Sequence, residues 1–400
     1  MSTSGMVRMP VLEVLFLAIY AAFVSYNDDA KLQNNETKPV DNALYRYYPF
    51  FADIQVMILI GLRCLLVFFC LYGFSGTVFN LLTATFAIQW AILVQGYFQF
   101  SHDGNIHQGV INLINAEFAC AVVLISFGAV LGKTSLVQLL VKALLEIPVF
   151  SINECAVLKY LKINDAGGSI LIHLLACYFS LGGHGKENTS YQSDILSVMD
   201  TLFLWVFWSS NFALTLKGDD QHRAILHNFS SSILTAFALS TMLNKNGKIT
   251  MANIQKVTLA AAYVLGVMGY KHLSPFLAHH FKIQCGVHNL HGLTGLIFYL
   301  TRKATEVYGP SMYEIFSHRA PMEGDPKLLE LQELIPSLQP GLGRSARGQA
   351  LYQLASVFST IGVAALGVLR DFVLKLPYLA SPSDDLSFDD ELFSMFHRLF

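Results

Sequence analysis

Apolar residues recur along this chain in long unbroken runs, not in short alternating segments. Eleven stretches reach or approach the roughly 20 residues a membrane-crossing helix needs. They are 9–26, 51–72, 78–98, 109–131, 135–158, 165–183, 194–216, 222–243, 251–270, 286–301 and 349–374. The last is longer than one crossing and holds Arg370 and Asp371 near its end. Alternating strands of a membrane barrel are not legible. The pattern predicts an all-α polytopic membrane protein. Two regions interrupt it. Segment 302–348 contains Pro310, Glu323, Asp325, Pro326, Pro336, Pro340 and Gly341, and reads as an aqueous loop with a short helix at 327–334. Segment 380–400 carries Asp384, Asp385, Asp389, Asp390 and Glu391 and reads as a soluble tail, leaving 1–379 as the transmembrane domain.

The first run resembles a secretory signal, but no small-x-small cleavage site comes after it, so it reads as a retained helix. Arg8 before it and Asn27-Asp28-Asp29 after it predict an inside N-terminus and an outside loop at 27–50. Asn35-Glu36-Thr37 in that loop is a glycosylation sequon. Asn188 falls on a predicted inside loop and Asn228 within a span, which makes their sequons weaker.

Composition narrows the class further. Of the 400 residues, 54% are hydrophobic and only 14% charged. A soluble domain carries about 25% charged residues. Disorder, a plain cytosolic enzyme and a nucleic-acid binder are excluded, the last because a net charge of −2 supplies no basic field. The six cysteines form no CxxC pair and lie mostly in apolar runs.

Ionisable residues inside spans are costly and mark functional positions. The candidates among them are Arg63, Glu117, Lys142, Glu146, Asp165, His173, Lys256, His288 and His291. Lys142 and Glu146 stand four apart and can pair on one helix. Arg63 and Lys256 can snorkel to an aqueous edge. His173 lies eight residues after Asp165, about 12 Å along a regular helix. The intervening Gly167-Gly168 allows close helix approach. A lone imidazole among apolar residues is commonly a satisfied core group. A second, His291, offers a pair that could meet inside a bundle and pass a neutral hydrogen-bonding solute. Zinc is a rival use of His279, His280, His288 and His291, but no cysteine or carboxylate stands at ligand spacing. No cofactor is called for: phosphate-binding glycine loops, dinucleotide fingerprints and hydrolase elbows are missing, and no enzyme activity is expected.

The same residues carry a resemblance to the Rhesus (Rh) glycoproteins of the Amt/Mep/Rh ammonium transporter superfamily, closest to the non-erythroid type B members. The matching stretches are 48–57, Asn115 to Phe118 with Phe127 to Lys133, Asp165 to His173, Thr201 to Trp205, Gly218 to Ala224, Cys285 to Gly292, and 374–384. The resemblance implies a plasma-membrane homotrimer, or a hetero-oligomer with other Rh subunits, with one pore per subunit built from two inverted five-helix halves after an extra first helix. It implies that ammonia passes, that His173 and His291 are the twin pore histidines, and that Asp165 stands at the outer mouth where ammonium is recruited. It also implies that Phe118 is one of two stacked gate phenylalanines. The tail 380–400 could engage a cytoskeletal adaptor.

Three departures qualify these expectations. The family order Ser-Phe-Asn is here Ser210-Asn211-Phe212, so Asn211 takes the second gate position and Phe212 is rotated about 100° away. The stretch between Ile254 and Cys285 is too short for the two spans the family has there, since two crossings need about 40 residues. Loss of one span would invert the remainder of the chain and turn 302–348 inward, which its Arg302, Lys303, Arg319, Lys327, Arg344 and Arg347 permit. A non-conducting membrane subunit is therefore the alternative to a channel. Finally, Phe298 and Tyr299 stand where the family prefers glycine.

Overall fold

Why the apolar runs form helices is plain from their surroundings: a chain in hydrocarbon must satisfy its own backbone. The computed structural model describes residues 3–27, 42–61, 73–102, 104–130, 134–163, 165–179, 191–215, 323–334, 340–344, 346–374, 376 and 379. The helices are α1 (Thr3–Phe23), α2 (Ala43–Leu59), α3 (Gly73–Gln95), α4 (Val110–Val130), α5 (Leu136–Glu154), α6 (Leu175–Phe179), α7 (Tyr191–Thr215), α8 (Pro326–Leu334), α9 (Ala346–Ala364) and α10 (Gly367–Leu374). Among the described residues, Val78–Phe98, Val110–Gly128 and Leu136–Tyr160 are long and apolar enough to cross a membrane. The spans expected at 222–243, 251–270 and 286–301 lie outside the described residues, as does the tail 380–400. So do the 251–285 stretch, Arg63 and Lys256. The helix expected at 327–334 is α8.

The chain divides into two compact units. One holds Met1–Cys155, Phe179–Phe203 and Leu366–Phe400; the other holds Ala156–Tyr178 and Leu204–Ala365. In the first unit α4 is central, packed against α2, α3 and α5. Ala84, Ala87 and Ala91 are fully buried on α3 at helical spacing, and Cys120 Sγ reaches Ala84 O at 3.7 Å, so these two backbones run close. α1 docks on α3 through Phe16, stacked on Phe86 and Trp90 with centroids 5.4 and 5.9 Å away. Tyr20 Oη donates to Gln89 O at 2.8 Å.

The helices are apolar outside and polar inside. Val11, Val14, Leu17, Phe358, Leu369 and Phe372 are exposed, whereas Asn80, Thr83, Glu117, Lys142 and Glu146 are buried. A soluble bundle reverses this order; a lipid-facing one requires it.

The Lys142–Glu146 pair expected from spacing forms at 3.1 Å, with the side chains 1% and 0% exposed. Ser126 of α4 joins them: Lys142 Nζ donates to Ser126 Oγ, and Ser126 Oγ donates to Glu146 Oε2 at 2.6 Å. The pair thus pins α4 to α5.

Three strands were not legible in the sequence. β1 (Val24–Tyr26) runs parallel to β3 (Asn105–Gln108), which pairs antiparallel with β2 (Ser101–His102). This small sheet joins the end of α1 to the α3–α4 connection, so both emerge on one face. Gln95 Nε2, just before that connection, donates to Glu154 Oε2 at 3.0 Å at the far end of α5. At the near end of α5, Ser135 and Gln138 form a reciprocal cap, and Gln138 Nε2 donates to Leu374 O at 3.0 Å. Leu374 therefore ends on the face opposite the sheet.

The 349–374 run is a correction. It breaks at Ala365–Leu366 into α9 and α10. Gly367 opens α10 in close approach to Phe179, where a Cβ would strike the carbonyl oxygen of Phe179. Glycine also weakens a helix by about 1 kcal/mol relative to alanine. Arg370 then lies 5.0 Å from the Phe179 ring centroid. Arg344 Nη1 donates to Leu161 O at 2.8 Å, which ties the end of the 302–348 segment to residue 161.

Two outcomes are expected. Lys142→Met strands a buried carboxylate and costs about 3–5 kcal/mol, and adding Glu146→Leu recovers most of it, as read by thermal unfolding in detergent. Cysteines placed at Tyr26 and Leu376 label from opposite sides of the membrane with an impermeant thiol reagent.

Candidate functional site

Asp165 begins the site. It precedes a tight turn, Ala166–Gly168, and a wide helical turn, Ser169–Leu174, that runs into α6. Gly167 and Gly168 both adopt left-handed backbone, φ 67° and 68°. The expectation of one regular helix from Asp165 to His173 is thus corrected: helical backbone proper starts at Ser169, because two left-handed residues intervene. Asp165 turns back over them. Its Oδ1 accepts from Ile170 N at 3.0 Å and its Oδ2 from Leu171 N at 2.9 Å. The carboxylate thereby satisfies amides that the start of a helix leaves open.

One face of α7 closes on this turn. Trp208, Asn211 and Thr215 stand at i, i+3 and i+7. The Trp208 ring meets the His173 ring at 5.8 Å between centroids, tilted 38°. Asn211 Nδ2 donates to Gly167 O at 3.3 Å. Thr215 Oγ1 accepts from Gly167 N at 2.7 Å and donates to Asn211 O at 3.3 Å. Both polar groups of the Gly167 residue are therefore held by α7. α9 packs against the Ser169–Leu174 turn. His173 is 7% exposed.

Asp165, His173 and Asn211 are thus brought together in the second unit. Phe118 is buried on α4 in the first unit. Phe212 comes after Asn211 on α7, and its side chain lies outside the described residues, as do His291, His288 and Asn35. Trp208 and Thr215 were missed in the sequence reading; their shared helical face with Asn211 was the available signal. Among the described residues no cluster of three or more metal-ligating side chains occurs.

Long apolar helices with exposed hydrophobic flanks and buried polar groups define a helical integral membrane protein. The Ammonium Transporter Family profile matches residues 15–376, and the chain belongs to that family. It is 37% identical over 451 residues to the ammonium transporter Rh type B of Xenopus tropicalis, covering 98% of this chain and 94% of the relative. It is 39% identical over 434 residues to the Rattus norvegicus protein of that description (96% and 92% covered) and 38% identical over 419 residues to the Homo sapiens one (94% and 88%). Among solved structures, Nitrosomonas europaea Rh50 matches with TM-score 0.68 and 26% identity over 88% of this chain and 92% of that one. Saccharomyces cerevisiae Mep2, at 14% identity and TM-score 0.61 over 88% and 91%, shares the fold.

Gly168→Ala should destabilise the protein by about 1–3 kcal/mol, because its φ is left-handed and the new Cβ would strike Ile172. Gly362→Ala on α9 meets nothing within 4 Å and should be neutral or stabilising by up to about 1 kcal/mol. Paired thermal-unfolding midpoints check both.

Proposed function

We propose that this chain conducts ammonia through a pore in which His173 and His291 supply paired imidazoles. Phe118, Asn211 and Phe212 line its gate, and Asp165 holds its outer mouth. The observation that carries the reading is the buried His173 ring, set on a turn whose backbone is tied down by Asp165, Asn211 and Thr215. Similarity to proteins described as ammonium transporters of Rh type B supports it.

The chemistry is set by cost. Moving an ammonium charge into hydrocarbon costs many kcal/mol, whereas neutral ammonia enters cheaply. A path of this kind recruits the cation at its mouth, returns one proton to the water outside and passes the neutral gas along hydrogen-bonding imidazoles. Imidazole serves because its two nitrogens donate and accept without net charge. Asp165, with both oxygens on backbone amides, acts on the shape of the mouth and does not travel with the solute. In the same reading the protein is a plasma-membrane homotrimer or an Rh hetero-oligomer, glycosylated at Asn35, with residues 302–348 as an aqueous loop. Its tail, 380–400, meets a cytoskeletal adaptor.

A second reading, a non-conducting Rh-like subunit, has its own observation. An alignment of 451 residues against a chain of 400 leaves the relative with residues that this chain lacks inside the matched stretch.

Ammonium-driven pH change in proteoliposomes separates the two. Conduction predicts flux well above protein-free vesicles, reduced about tenfold by His173→Ala, the worth of one lost hydrogen bond. Flux equal to protein-free vesicles, together with co-purification with another Rh subunit, establishes the second reading.

A further inference from the structure

Asn211 has one committed end and one open end. Its Nδ2 donates one N–H to Gly167 O. Its Oδ1 is buried and has no hydrogen-bond partner, in a residue only 2% exposed. The orientation of the amide is decided by the Gly167 bond: turned over, it would set one carbonyl oxygen against another. The group left unmatched on Asn211 is therefore the carbonyl oxygen, an acceptor. A buried acceptor left unmatched costs about 1–3 kcal/mol, so a donor is missing from this position.

The place of that acceptor gives its meaning. Asn211 stands one helical turn from Trp208, whose ring meets His173, and it grips the turn that carries His173. An apolar side chain of similar size could fill the position without leaving an oxygen unmatched. We infer that Asn211 Oδ1 is a binding subsite for a small solute that donates N–H, beside the turn that leads into His173, and that it favours N–H donors at this position. Ammonia, ammonium and small primary amines qualify; a solute that only accepts hydrogen bonds does not. This rests on the transport reading above and adds to it a polar docking step where an aromatic gate would only exclude.

The subsite makes transport saturable at a concentration that depends on Oδ1. Full-length protein in liposomes is tested with ammonium chloride gradients at fixed pH, reading the initial internal pH change against concentration. Asn211→Leu and Asn211→Ala, both lacking the acceptor, are expected to raise the half-saturating concentration about 3- to 10-fold. Asn211→Asp keeps an acceptor and loses the tie to Gly167; its half-saturating concentration stays at or below that of the wild type. Thr215→Val removes the other tie to Gly167 and leaves Oδ1 in place; it lowers the maximal rate without raising the half-saturating concentration. An unchanged half-saturation in the Leu and Ala variants means that Oδ1 holds water only, and overturns the subsite while the transport reading stands. A rise in Thr215→Val equal to that in Asn211→Leu assigns the effect to the turn and overturns it too. Wild-type flux no faster than protein-free vesicles removes the transport reading and the subsite with it.

Discussion

Every polar group placed in hydrocarbon must find its partner within the protein, and this constraint organises the whole molecule. It explains why valine, leucine and phenylalanine side chains are exposed on α1, α9 and α10 while Lys142 and Glu146 are buried. It explains why Lys142 and Glu146, buried together, also share the hydroxyl of Ser126. The attraction of two charges at low dielectric barely offsets their desolvation, so the bridging hydroxyl matters. Its effect is registry: a contact from α4 to two positions on α5 leaves one alignment of those helices satisfied.

The same constraint shapes the candidate site. A helix that starts within the protein exposes amides, and Asp165 meets them with both carboxylate oxygens. The reversal this needs is sharp enough to require left-handed backbone at two successive residues, and glycine is the residue that adopts it at low cost. The freed N–H and C=O of Gly167 are then taken by Thr215 and Asn211. His173 inherits its position from that chain of obligations. Its ring is fixed against Trp208 because the turn beneath it cannot slide.

Legibility in the sequence tracked the range of the interaction. The runs at 78–98, 109–131 and 135–158 appear as α3, α4 and α5, because hydrophobic length is a local property. The Lys142–Glu146 pair and the short helix α8 were legible for the same reason. Non-local contacts were not. The close approach of Gly367 to the carbonyl of Phe179 joins residues far apart in the chain. The pairing of Val24–Tyr26 with Ile106–Gln108 joins segments far apart in the chain. The Asp165–His173 stretch was recognised, but read as a regular helix, because a Gly-Gly pair serves equally for close packing and for a left-handed turn.

By itself the sequence determined the solvent this chain inhabits, the material of its helices and its family, since these rest on composition and on residues close in order. The tertiary structure alone decided which of those residues meet. It set Asn211 on the carbonyl of Gly167, Trp208 on His173, Arg344 on Leu161 and Gln138 on Leu374. Each of these is a hydrogen bond or ring contact whose partner lies a helix or more away. In a membrane such partners are found by packing one buried face on another, and a linear pattern cannot specify which face that is.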